Sequence, residues 1–307
     1  MHISKNKYLS KLCAPLISSA QWLGKNYPET LVKIRYYVRF HKRLDLESPK
    51  DLNEKILWLS LRSDTSLWSA CADKYAVRKY VEEKGLSDML VKLYGVYDRA
   101  EDIDWEALPD AFVLKTVHGS GDIKVVTDKK KADRQALIDY FSQQLKHPYG
   151  YLEGSTHYPR IKPRLIAEEI LHNDDASAAV STSIIDYKIW CFNGRAYYCL
   201  VCTNRDKHGF SRMVYDRDWQ PHPEYIVCST EHKQGAVIHC PENWGQMLDD
   251  AEILADDFPC VRVDLYNIGG KIYFGELTFT SLGGLMNNYS KEFLSKCGEL
   301  VKLPNQA

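Results

Sequence analysis

A chain of 307 residues, 45% hydrophobic and 26% charged, can build one large core or two lobes around a cleft, and its composition excludes a disordered or fibrous protein. Its formal net charge of -1 offers no single-sign field, so no nucleic-acid partner is expected. The nine cysteines are odd in number and scattered, which points away from a disulfide framework and toward a reducing compartment. No apolar run reaches the length of about 18 residues that a membrane-spanning helix needs, and Leu12 to Leu23, broken by Pro15, Ser18, Ser19 and Gln21, does not read as an export signal. The expected location is the cytoplasm.

In chain order, the first fifty residues carry a basic surplus, with Lys5, Lys7, Lys11, Lys25, Lys33, Arg35, Arg39, Lys42, Arg43 and Lys50 against Glu29, Asp45 and Glu47. Two readings stand: a solvated helical face, or a peripheral dock for anionic lipid at the inner face of a membrane or for an acidic polymer. Apolar spacing predicts helices over Leu52–Leu61 and Asp73–Lys84, with Gly85 as a stop. After Pro109 short runs of Val, Ile, Tyr and Phe between Gly-containing turns predict an antiparallel sheet. The expected strands are Phe112–Thr116, Ile123–Thr127, Arg164–Ile170, Tyr187–Phe192, Ala196–Cys202, Cys260–Tyr266 and Ile272–Phe279, with Asn193-Gly194 and Asn267 to Gly270 as hairpin turns. Helices are expected over Asp133–Leu145 and Trp244–Ala255, without the alternation of a doubly wound fold, so the fold class is α+β.

Three segments carry chemistry. The strand ending at Lys115 runs into His118-Gly119-Ser120-Gly121 and returns as Ile123 to Val126, a glycine loop whose N–H groups can approach a phosphate beside a lysine charge. An ordinary Gly-rich hairpin looks similar; neither a P-loop nor a dinucleotide fingerprint is present. In the near-terminal hairpin, period-2 alternation puts Arg262 and Asp264 on one face and Glu276 and Thr278 on another that can meet it. Converging carboxylates in apolar strands need a hard cation or an arginine, and Mg²⁺ shared with nucleotide phosphates fits; a plain Arg–Asp ion pair is the simpler alternative. Adjacent Glu168 and Glu169 in an apolar strand can read an adenine edge, or one of them can simply face solvent.

The order Asp73-Lys74, Lys115 with its glycine loop, Glu168 to Leu171, Arg262 to Asp264, then Glu276 to Thr278 resembles the ATP-grasp superfamily. More narrowly the chain resembles the TupA-like branch, named for teichuronopeptide synthesis and associated with bacterial surface polysaccharide clusters. Phrases carrying that likeness run from Leu52-Asn53-Glu54-Lys55 through Lys162-Pro163-Arg164, Asp186-Tyr187-Lys188 and Tyr215 to Trp219, to Arg262 to Tyr266. The resemblance implies an ATP-grasp fold of two α+β subdomains with mainly antiparallel sheets, here divided as 71–172 and 173–307 after an N-terminal helical segment, 1–70. It implies that Lys74 and Lys115 grip ATP phosphates under a loop of Gly119, Ser120 and Gly121. Glu168 and Leu171 would frame adenine, with Glu169 between them. Asp264 and Glu276 would carry Mg²⁺, joined by Thr278 where many members have Asn, and Arg262 would neutralise the transferring phosphoryl group. Lys188, Arg205 and Arg212 are candidates to hold an acidic substrate, or are exposed strand-edge charges.

The activity so implied is ATP-dependent ligation of a carboxylate to an amine through an acyl phosphate, joining an amino acid or amine to an acidic sugar or polysaccharide. Alternatives are a glycosyltransferase or kinase of the same pathway, or a nucleotide-binding module without turnover. The glycine loop and the stretch Pro148–Arg160, with Tyr149, Tyr151 and Tyr158, are expected as lids that exclude water. Cys199 and Cys202, three apart in a strand, face opposite ways and do not suggest zinc.

Overall fold

The computed structural model describes residues 7–230 and 232–304; Lys5 of the basic surplus lies outside them. The chain opens with helices α1 (Lys7–Asn26) and α2 (Pro28–Phe40). Pro28 begins α2 where a missing N–H costs nothing, and α2 buries Leu31, Val32 and Tyr36, the last two in the main core. Next come α3 (Leu52–Arg62), α4 (Ser66–Ala72) and α5 (Val77–Glu83). Asp51 caps α3 by accepting the Glu54 N–H at 3.0 Å. Where the apolar spacing predicts one helix over Asp73–Lys84, the Asp73 carboxylate instead accepts the N–H groups of Tyr75 and Ala76 at 2.8 and 3.1 Å. That turn outcompetes the helical ladder, which starts only at Val77.

Two sheets follow. The first has strands β1 (Leu93–Tyr97), β2 (Phe112–Thr116), β3 (Ile123–Val126) and β4 (Leu165–Glu168), in the spatial order β1-β4-β2-β3 and antiparallel throughout. Its inner face, with Phe112, Leu114, Leu165 and Ala167, packs on Phe141 of α6 (Arg134–Gln144) in a core of its own. The second sheet has β5 (Asp186–Phe192), β6 (Arg195–Asp206), β7 (Gly209–Asp216), β8 (His232–Gln234), β9 (Cys260–Ile268) and β10 (Lys271–Thr278), in the order β10-β9-β5-β6-β7-β8; only the β7–β8 pair is parallel. Short α7 (Asp175–Val180) precedes it, and α8 (Trp244–Ala255) and α9 (Lys291–Leu300) complete the fold. Both predicted hairpin turns form: Asn193 and Gly194 take φ of 49° and 78°, and Gly269 and Gly270 take 59° and 79°.

The larger core joins α3, α4, α5, α8 and α9 to the second sheet. Alternation along β9 sends Val261, Val263 and Leu265 into that core on the α8 side and Arg262, Asp264 and Tyr266 to the other face. The unpredicted strands lack such a signal: all five residues of β1 are half-buried, and β7 mixes Ser211 and Arg212 into its apolar run.

Candidate functional site

The second sheet's charged face is set by register. Asp264 on β9 lies opposite Lys188 on β5 and opposite Glu276 on β10, while Arg262 lies between Trp190 and Thr278. An irregularity between Phe274 and Glu276 is what brings Glu276 level with Asp264. Gly275 permits it: a Cβ there would sit 2.8 Å from the Asp264 carbonyl oxygen.

The side chains on this face form a buried chain of alternating charge. Arg262 donates through Nε and Nη2 to both oxygens of Asp264 at 2.6 and 2.7 Å, the bidentate fork that arginine favours. Lys188 donates to Asp264 and lies 2.8 Å from Asp186, which Arg205 also meets at 3.3 Å. Arg262 also donates to the Ser281 and Thr278 hydroxyls at 2.8 and 3.1 Å, and stands 3.7 Å from Glu276. Burial opposes every charge here, yet Asp264 stays below the usual carboxylate range because Arg262 and Lys188 face it. Asp186 goes the other way: burial outweighs Lys188 and pushes its carboxyl up, and its Oδ1 is buried without a partner.

The first sheet supplies the opposing wall. Lys115 at the end of β2 pairs with Glu168 at the end of β4 at 2.5 Å, and Arg78 of α5 holds the other Glu168 oxygen at 3.4 Å. Lys74, from the turn before α5, donates to the Gly119 carbonyl of the glycine loop at 2.6 Å. Burial lowers the Lys74 ammonium pKa, with Glu276 acting to raise it and Lys115 to lower it further, so cations from one sheet and a carboxylate from the other share one electrostatic field. A narrow cleft has Lys74, Arg78, Lys115 and Glu168 on one side and Phe274 and Gly275 on the other.

The predicted lid meets this cleft. Tyr149 shares a side-chain hydrogen bond with Ser120 and packs edge-on against Tyr158 at 4.8 Å, and both phenols feel Glu276. Burial, the first cause, pushes the Tyr149 phenol up to about 12. Tyr149 thus ties the glycine loop to the 148–160 stretch.

The structure thus brings together Lys74, Lys115, Glu168, Lys188, Arg262, Asp264, Glu276 and Thr278, with Gly119 and Ser120 at the rim and Arg205 at the Asp186 end. Gly121 takes φ of 85° at the loop tip, a backbone conformation that glycine adopts without strain although the space around it is open. Glu169 is exposed and Leu171 half-buried just beyond β4, and the Glu169 N–H is tied to the Lys92 carbonyl at 3.0 Å. The Glu168 carboxylate is taken up by two cations and so is not free toward solvent. Arg212 stands apart from the cluster. It is 3% exposed, donates to the Val227 carbonyl at 2.9 Å and meets no carboxylate among the described residues; its Nε has no partner.

Sequence reasoning missed Asp186, Arg78 and Ser281. Asp186 was detectable, because it shares a strand face with Lys188 by the same alternation that picks out Arg262 and Asp264. Ser281 was not: it belongs to a short turn in which Leu282 and Gly283 take φ of 50° and 66°.

For a divalent cation the donor types fit. Asp264 and Glu276 are register partners and the Thr278 hydroxyl is beside them, hard oxygens of the kind Mg²⁺ takes together with phosphate oxygens. Glu276, 46% exposed at its side chain, is the more available of the two carboxylates, since Arg262 and Lys188 engage Asp264. Among the described residues no group of three or more His, Cys, Asp or Glu is placed to hold a metal ion.

The model of the family described as TupA-like ATPgrasp matches residues 54–302. No curated protein matches the chain. Among solved structures it is similar to a D-alanine–D-alanine ligase from Bacillus anthracis, at 15% identity and a TM-score of 0.44 over 75% of this chain and 63% of that one. It is also similar to an L-amino acid ligase from Bacillus licheniformis, at 11% identity and a TM-score of 0.49 over 85% of this chain and 56% of that one. A third is the ATP-grasp ligase PsnB complexed with minimal precursor, Mg and ADP, at 13% identity and a TM-score of 0.40 over 92% of this chain and 72% of that one. The chain spans 63% of the length of the first of these structures.

Proposed function

We propose, from the premise that the chain belongs to the TupA-like ATP-grasp family, that it is an ADP-forming carboxylate–amine ligase. Its fold is the α+β ATP-grasp fold. The reaction we infer joins an amino acid or amine to an acidic sugar in bacterial surface polysaccharide biosynthesis. The observation that supports it best is the pairing of Lys74 and Lys115 from one side of the cleft with the Glu276 strand from the other, a two-sided arrangement suited to a triphosphate.

In this reading Lys74 and Lys115 grip the phosphates, and the 118–121 loop closes over them. Lys115 exchanges its Glu168 contact for phosphate oxygens, while Arg78 keeps Glu168 in place. Asp264, Glu276 and Thr278 would hold Mg²⁺, which supplies charge neutralisation between the phosphates. A substrate carboxylate oxygen attacks the γ-phosphorus and ADP leaves. The amine nitrogen then attacks the acyl carbon, inorganic phosphate leaves, and the amine loses a proton. Arg262 and Lys188 stabilise charge on the phosphoryl oxygens, an effect of preorganised donors in a water-poor site. Arg205, at the Asp186 end of the cluster, orients the acidic substrate, and Tyr149 and Tyr158 keep water from the acyl phosphate.

The test is Mg²⁺-dependent ADP release measured across uronic acids paired with amino acids. Release that needs both partners supports ligation. Product from a nucleotide sugar without ATP would favour a glycosyltransferase, phosphorylation of the sugar alone a kinase, and ATP binding without turnover across the panel a binding module.

A second reading concerns location. Leu16, Trp22, Tyr27, Ile34, Tyr37 and Val38 on α1, α2 and their junction are 48–72% exposed, beside exposed Lys25, Lys33, Arg39 and Arg43. Ile34, Tyr37 and Val38 share one helical face. Aromatic and aliphatic side chains rimmed by cations suit the surface of an anionic bilayer. Among the described residues no helix is long and apolar enough to cross a membrane, so contact would be peripheral. Cosedimentation with phosphatidylglycerol vesicles, weakened by Trp22→Glu with Tyr37→Glu, is the expected result; equal pelleting of that variant would remove this reading.

A further inference from the structure

A cavity of about 630 Å³, within the roughly 300–1,000 Å³ range of small-molecule sites, lies away from the nucleotide cleft, between α2, the 41–51 loop and the start of α9. Phe40 and Tyr36 form one wall and Lys42, Lys50 and Lys291 stand around it. Lys42 is already neutralised by Glu54 at 2.7 Å, whereas Lys50 and Lys291 are exposed and pair with no carboxylate among the described residues. Asn53 is not free for a ligand, because its amide donates to the Met286 carbonyl and accepts from the Met286 N–H, both at 3.0 Å; it fixes the shape of the wall. Asn287 and Ser295 are exposed and available.

The floor connects this cavity to the catalytic face. Tyr289 lines it and is 4% exposed. Its hydroxyl accepts from the Trp190 indole at 3.1 Å, and the Arg262 guanidinium lies over the same indole at 5.9 Å. Val227, also in the lining, accepts from Arg212, the buried guanidinium whose Nε is unpartnered. Tyr289 thus stands between a ligand in the cavity and the Trp190–Arg262 pair, and the Val227 carbonyl stands between that ligand and Arg212.

We propose that this cavity is a second substrate subsite, separate from the nucleotide cleft, that holds a carboxylate-bearing sugar residue. The subsite's part in the reaction rests on the ligase reading, its ligand on the cavity alone. Two unpaired ammonium groups call for an anion. The exposed part of Phe40 offers an apolar surface for the C–H face of a sugar ring, and Asn287 and Ser295 offer hydrogen-bond partners for hydroxyls. Asp51, in the same lining, can accept from a hydroxyl and disfavours a bare polyanion.

Titration of trigalacturonic acid, maltotriose and triglutamate into the full chain, with and without Mg–ADP, tests this. Trigalacturonic acid is expected to bind at least tenfold more tightly than either other probe. Lys50→Ala with Lys291→Ala should weaken it at least tenfold without changing ADP affinity, and Ser295→Trp, which fills the cavity from an exposed position, should abolish it. Wild-type affinity in both variants, equal binding of maltotriose, preference for triglutamate, or no trigalacturonate binding would each overturn the proposal. Failure of ADP to bind at all would instead count against the ligase reading and leaves the trigalacturonate arm able to decide the cavity's ligand.

Discussion

Single side chains decide the chemistry because most carboxylates around the cleft are already matched by short ion pairs, and Glu276 is the least engaged of them. Its carboxylate has only a 3.7 Å approach from Arg262 and a 3.3 Å bond from Thr278. Glu276→Gln keeps shape and hydrogen bonding but removes the negative charge, so ADP release should fall by at least 10²-fold, as when one preorganised electrostatic group is lost, while the melting temperature stays within a degree or two. Wild-type turnover in that variant would refute the metal assignment. His157 carries a different consequence. Fully buried between Trp68, Tyr158 and Phe279, it has no hydrogen bond on either ring nitrogen among the described residues, and burial with Arg160 nearby drives its imidazole down to about 3. An unfolded histidine takes up its proton near pH 6.5, so as pH falls below that value the unfolded state gains a proton that the folded state refuses. Stability contributed by the neutral ring is present above pH 6.5 and is lost on the way down toward pH 3. His157→Phe should flatten the acid side of the stability profile by about 1.4 kcal/mol per pH unit over that window, measured by urea unfolding at several pH values. An unchanged slope would mean that the ring is not neutral in the fold.

At the level of elements, the site depends on one irregular residue in a hairpin. Gly275 lets β10 slip so that Glu276, rather than its neighbour, stands opposite Asp264. A methyl group there would press on the Asp264 carbonyl at 2.8 Å, and backbone cannot move aside cheaply. Gly275→Ala should cost about 1–3 kcal/mol and lower turnover more than its stability loss explains, because the slip also aims Glu276. Equal activity per folded molecule would show that the bulge only shapes the strand. This is also where sequence legibility ended. Alternation along β9 and β10, the Asn-Gly turn and the apolar runs of β2 and β5 are local patterns, and each could be read without knowing its neighbours. The bulge, the Asx turn at Asp73, the left-handed Leu282 and the shallow β1 arise from cross-chain contacts that one-dimensional spacing does not carry. So the pairing of Arg262 with Asp264 was readable as an alternation, whereas the Arg78–Glu168–Lys115 relay was not, since its members come from three elements far apart in the chain. The N-terminal segment shows the same limit: its basic surplus suggested a solvated helical face or a peripheral dock and gave no sign that α2 buries Leu31, Val32 and Tyr36, with Val32 packed against Gly154.

Across the whole molecule, the two sheets have largely separate cores, and the walls of the cleft come from both. Lys115 and Glu168 sit on the smaller unit while Asp264 and Glu276 sit on the larger, so a nucleotide spanning the cleft ties one core to the other. Burial lowers the Lys74 pKa and the neighbouring Lys115 ammonium lowers it further, so an anion held beside both would be favoured. A ligand that binds only the folded state at 100 times its Kd adds about 2.7 kcal/mol. For a chain of this size that corresponds to a rise in melting temperature of about 5 °C. Mg–ADP should therefore raise the melting temperature of the wild-type chain by about that much, and of Lys115→Ala by much less, although Lys115→Ala alone leaves Glu168 held by Arg78 and the fold intact. Hydrogen exchange should show the protection on both sheets, over residues 112–126 and 260–278 together. Protection confined to one sheet would mean that the nucleotide occupies a single lobe and that the two-sided cleft is not its site.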